Sequence, residues 1–175
     1  QTFSETGSGR ITGLIMSNKT DISVNVNGRE YTRHVSPRVS LADFIRHDLG
    51  LTGTHVGCEH GVCGACVVKL DGKIVRSCLT LAVQTDGHAI ETIEGLSESG
   101  EISDMQEIFH KRNALQCGYC TPGILLTAAE LLEKTATPDR EEIREFLSGN
   151  LCRCTGYEAI IDAVEETARE RQDGK

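Results

Sequence analysis

Between Asp21 and Asn27 the apolar residues Ile22, Val24 and Val26 alternate with polar ones, the period of a strand with one buried face. Asn27-Gly28 then supplies two residues that tolerate positive φ in a tight turn, so a returning strand is expected over Arg29–Val35. Past Pro37, Ser40 is suited to cap a short helix whose Leu41, Phe44, Ile45 and Leu49 share one face, with Gly50 near its end. Val67–Leu70, the turn Asp71-Gly72 and Lys73–Arg76 read as a second hairpin, and residues 89–93 as one more strand. The first half of the chain is therefore expected to be a small sheet crossed by one helix.

From about Ser97 the apolar period changes to that of helices. Ile102, Met105 and Phe109 mark one helix, and Ile124, Leu125, Ala128, Leu131 and Leu132 a second. Asp139 can cap a third, which carries Ile143, Phe146 and Leu147. A fourth runs from about Tyr157 to Arg169 with Ile160, Ile161, Val164 and Ala168. The pattern helix, Cys117-Gly-Tyr-Cys120-Thr-Pro, helix is echoed by helix, Cys152-Arg-Cys154-Thr-Gly, helix, so a pseudo-two-fold arrangement of helix pairs is predicted.

The chain has 175 residues and a formal net charge of −8, which speaks against a nucleic-acid partner and fits an ordinary acidic surface. No apolar run is long enough to span a bilayer, and residues 1–15 lack the features of a secretory signal. A cytoplasmic location with reduced thiols is expected. The first residue is Gln1, and Met16 is a possible original start.

Eight cysteines are then the main chemical feature. Cys58, Cys63, Cys66 and Cys78 form C-x4-C-x2-C-x11-C, the spacing of plant-type 2Fe-2S sites. Two irons and two sulfides need four outer thiolates. A loop that wraps them needs glycines such as Gly57, Gly61 and Gly64 to bring backbone N–H groups toward the sulfurs. The second set pairs Cys117-x2-Cys120 with Cys152-x-Cys154, each just before a predicted helix. Helix N-termini favour a bound anionic group, and Pro122 suits a first helical turn. Structural zinc and disulfides compete with iron for both sets. A distant fourth cysteine after C-x4-C-x2-C does not suit a zinc knuckle, whereas the second set is ambiguous apart from its helical setting.

The runs GCEHGVCGACVV from Gly57, RSC at Arg76–Cys78, LQCGYCTPG from Leu115 and GNLCRCTGY from Gly149 resemble the small iron–sulfur subunit of the molybdenum hydroxylases, the xanthine oxidase family, which includes bacterial carbon monoxide dehydrogenase. The resemblance covers residues 22–169; Tyr119 stands where many members carry Phe, and the first residues have no counterpart. It implies an α+β chain: an N-terminal extension over residues 1–20, a β-grasp plant-type ferredoxin-like domain over 21–96, and an all-α four-helix 2Fe-2S-binding domain over 97–175.

The resemblance further implies an outer 2Fe-2S cluster on Cys58, Cys63, Cys66 and Cys78, and an inner one on Cys117, Cys120, Cys152 and Cys154. Gln116 would contact the molybdopterin of a large subunit, although a capping or solvated amide is its ordinary role. Electrons would pass singly between that molybdenum cofactor and FAD on a medium subunit, in a dimer of heterotrimers. No substrate site is expected on this chain. The alternatives are a stand-alone ferredoxin-type carrier and a zinc-stabilised interaction module. His60 is read as a loop residue, Arg153 as a cofactor or interface contact, and Tyr119 and Tyr157 as packing residues.

Overall fold

The computed structural model describes residues 19–100 and 102–174. Residues 1–18, most of the expected extension, lie outside them, while Thr20 already opens the first strand. Strands β1 (Thr20–Val26), β2 (Arg29–Val35), β3 (Val67–Leu70), β4 (Lys73–Arg76) and β5 (Ala89–Glu91) form one sheet in the order β2-β1-β5-β3-β4. Only the β1–β5 pairing is parallel. Both hairpin turns have positive φ at their two central residues, Asn27 with Gly28 and Asp71 with Gly72, the conformation that matches the twist of the strands.

Ser40 caps α1 (Leu41–Asp43), its hydroxyl accepting from the Asp43 N–H at 3.0 Å. The helix then widens over Phe44–Asp48, where the Leu49 N–H reaches back five residues to the Phe44 carbonyl. Phe44, Ile45 and Leu41 pack on Ile22, Val24, Val68 and Ile90 to make the core of the first half.

The strand expected over residues 89–93 ends at Glu91. Thr92 bonds to the Asn27 side chain through its N–H and its hydroxyl oxygen, and Ile93 opens a helix that the sequence reading lacked, α2 (Ile93–Ser99). Ile93 and Leu96 join the helical core, so α2 carries the chain from the sheet to the helices. Then follow α3 (Ser103–Lys111), α4 (Thr121–Lys134), α5 (Arg140–Leu147) and α6 (Glu158–Asp173). Asp139 caps α5 reciprocally: its carboxylate accepts from the N–H groups of Glu141 and Glu142, and the Glu142 carboxylate accepts from the Asp139 N–H. α3 packs on α6 and α4 on α5, two contacts that exchange under the predicted pseudo-two-fold relation.

Sheet and helices share β3. Val68 faces the first core, whereas Val67 belongs to the helical one, as the alternation of strand side chains requires. On that second face Lys69 pairs with Glu133 of α4, and Glu130 pairs with Lys134 while accepting from the Ile74 N–H at 3.0 Å. Glu130→Ala is expected to destabilise the chain by about 1–3 kcal/mol, because it strips a partner from the Ile74 N–H under α4. Thermal unfolding of the variant checks this.

Two ion-pair groups join α3 to α6. Arg171 meets Asp104 at 2.6 Å, and Lys111 and Arg112 meet Glu166. Arg171 holds the Asp104 carboxyl below the usual carboxylate range, and Lys111 with Arg112 does the same for Glu166. Groups depressed in this way stabilise the fold fully above their unfolded value of about 4, and the contribution is lost as pH falls through the lower folded value. Asp104→Asn is therefore expected to lower the melting temperature at neutral pH, with the gap closing between about pH 5 and pH 2. A gap that widens on acidification contradicts this.

Candidate metal centres

The loop between α1 and β3 turns sharply at Glu59, Gly61 and Gly64, all with positive φ. This curl brings backbone N–H groups onto the Cys58 sulfur. The Cys63 N–H donates at 3.4 Å, and those of His60 and Val62 also face it. These donors lower the Cys58 thiol to about 6, the Cys63 amide contributing most. The His60 ring is exposed, so His60 acts through its backbone. The β3–β4 hairpin returns Cys78 beside the buried Cys66. Burial first, and then the Cys66 thiol, push Cys78 up to about 11.

The second set is built at two helix entrances. Cys117 and Cys120 directly precede α4, and Cys152 and Cys154 lie just before α6. Pro122 occupies the first turn of α4, where its missing N–H costs nothing. The Cys117 and Cys154 sulfurs stand 3.6 Å apart, and the Cys120 thiol neighbours that of Cys152. Burial first, and then Cys152, push Cys120 up to about 12. For Cys152, burial acts upward but is outweighed, because the Thr155 hydroxyl at 3.1 Å and the amides of Thr155 and Cys154 lower it.

In the second set the Cys117 and Cys154 thiols adjoin and Cys120 lies near Cys152, and in the first set Cys78 lies near Cys66 and Cys63 near Cys58. Among the described residues no three His, Cys, Asp or Glu side chains converge on a point suited to one metal ion. A two-iron group in which each iron takes two thiolates needs four thiols, the number in each set. Cys117 and Cys154 are exposed, whereas Cys66 is buried.

Gln116 lies exposed beside Cys117, and its side chain makes no hydrogen bond to the described residues; Arg153 is also exposed. Both tyrosines do more than pack. The Tyr157 hydroxyl oxygen accepts from the Cys152 N–H at 2.8 Å, and the Tyr119 hydroxyl donates to the Val56 carbonyl at 2.7 Å. The Tyr119 ring also stacks on His55 at 4.6 Å, tying the second site to the loop of the first. The sequence reading passed over His55, which lies three residues before Cys58.

Two family models match the chain. Residues 24–93 match the family model of a 2Fe-2S iron-sulfur cluster binding domain, and residues 92–165 that of a second 2Fe-2S binding domain. The chain is 56% identical over 148 residues to the nicotine 6-hydroxylase small subunit of Paenarthrobacter nicotinovorans, covering 85% of this chain and 89% of that protein. It is 53% identical over 150 residues to caffeine dehydrogenase subunit gamma of Pseudomonas sp. (strain CBB1), covering 84% and 90%. A chain in the crystal structure of quinoline 2-oxidoreductase from Pseudomonas putida 86 superposes with a TM-score of 0.84 at 50% identity, covering 90% of this chain and 99% of that one.

Proposed function

Because this chain belongs to the family of small iron–sulfur subunits of the molybdenum hydroxylases, we propose that it relays single electrons between a molybdopterin centre on a large subunit and FAD on a medium subunit. The observation that carries this reading is the placement of two four-cysteine sets, one in the loop before β3 with Cys78 after β4 and one at the entrances of α4 and α6, linked by the Tyr119–Val56 hydrogen bond. Cys58, Cys63, Cys66 and Cys78 would hold the outer 2Fe-2S cluster; Cys117, Cys120, Cys152 and Cys154 would hold the inner one. Such a cluster, when bound, takes up and releases one electron at a time.

The chain's own residues set the conditions for that. Backbone N–H groups of residues 60, 62 and 63 offset negative charge on Cys58, and Thr155 does so at Cys152. Gln116, exposed next to the exposed Cys117, would offer its amide to the pterin. Among the described residues, every exposed large hydrophobic side chain, Val62, Leu79, Leu81, Tyr119 and Leu151, lies within three residues of a cysteine in sequence. Apolar surface gathered around both sites is suited to burial by larger subunits. We place the complex, as a dimer of heterotrimers, in the cytoplasm; no helix among the described residues is long and apolar enough to cross a membrane.

The names of the three relatives, for nicotine, caffeine and quinoline, support an N-heterocycle as the substrate of the assembled enzyme. Purification of the native assembly tests this. The chain is expected to co-purify with a molybdenum-containing and a flavin-containing subunit, and an anaerobic N-heterocycle is expected to bleach its visible absorption. A chain that purifies alone and is not bleached supports the stand-alone carrier instead.

A further inference from the structure

A buried seam joins the two cysteine sites, and Asn150 stands in the middle of it. Asn150 is only 2% exposed and lies two residues before Cys152. Its Nδ2 donates at 3.2 Å to the carbonyl of Gly64, between Cys63 and Cys66. The next N–H, that of Leu151, donates to the Cys63 carbonyl at 2.8 Å. From the other side Arg76, two residues before Cys78, donates through Nη2 to the Gly149 carbonyl at 2.7 Å. Backbone meets backbone here: a Cβ on Gly64 would lie 2.4 Å from the Gly149 oxygen.

The choice of asparagine has a cost. Its Oδ1 is buried without a hydrogen-bond partner among the described residues. An unmatched buried acceptor is unfavourable, and an apolar side chain of the same shape would avoid it. The donor to Gly64 is the compensating feature, and it acts on a segment of the first site that lies between two of its cysteines. Loops that wrap a bound group lose conformational freedom when it binds, and where two such loops are bonded together, ordering one lowers the cost of ordering the other.

Building on the reading that both sites take clusters, we propose that Asn150 is a positioning residue that couples them, so that the chain holds or loses its two clusters together. The test strips about half the iron from the purified full chain with limiting chelator and counts clusters per chain by native mass spectrometry. The unsubstituted chain is expected to appear mainly as doubly loaded and empty species. Asn150→Leu, which keeps the number of side-chain heavy atoms and the branch at Cγ and removes the donor, is expected to raise the singly loaded fraction about fivefold or more, the lower end of ordinary coupling between sites. Arg76→Gln loosens the rim of the seam and is expected to shift the distribution the same way by less; it carries the test if Asn150→Leu does not fold. Equal singly loaded fractions in the folded variants and the unsubstituted chain overturn the proposal. An unsubstituted chain purified without iron overturns the reading of the sites instead.

Discussion

The Cys120→Ala chain is expected to carry about two irons or fewer, where the unsubstituted chain carries about four. Cys120 lies near Cys152, and the Cys117 and Cys154 sulfurs stand 3.6 Å apart. Removing one thiol leaves a two-iron group with three protein ligands, and alanine supplies no oxygen to replace the sulfur. Iron analysis should be paired with electron paramagnetic resonance of the reduced chain, in which at least one of two signals is expected to vanish. Retention of about four irons and both signals would remove Cys120 from the ligand set.

Gly123→Ala is expected to destabilise the chain, even though alanine favours a helix interior by about 0.5–1 kcal/mol over glycine. Gly123 sits in the first turn of α4, and an added Cβ would lie 2.3 Å from the Gly64 carbonyl oxygen. That atom is backbone, held in place by Asn150 on its other side, so it cannot swing away as a side chain would. Overpacking of this kind costs about 1–3 kcal/mol, more than the propensity gain. A lowered melting temperature and a reduced iron content are the expected readouts; a raised melting temperature would mean that α4 and the loop move apart freely.

Much of the fold could be read from local pattern. Asn27-Gly28 and Asp71-Gly72 place both hairpins, and Ser40 and Asp139 cap the helices they were expected to cap. The departures come where tertiary contacts outweigh that pattern. Residues 89–93 read as a strand, but Thr92 is held by Asn27, and Ile93 is drawn into the helical core. The site divides in the same way. Spacing alone sorts the cysteines into two sets of four. Which thiol neighbours which is not in the spacing, since Cys66 reaches Cys78 through a hairpin and Cys117 reaches Cys154 through two helices. The seam was the least readable part, because the Asn150 bond spans 86 residues and ends on a backbone carbonyl, which leaves no trace in residue type.

The central claim is that the eight cysteines form two separate sites, each holding a 2Fe-2S cluster. Iron, zinc and acid-labile sulfide measured on the native chain, with electron paramagnetic resonance after reduction, test it most directly. A brown protein with about four irons and about four sulfides per chain and two distinguishable signals is expected. A colourless chain that holds zinc and no sulfide would contradict it.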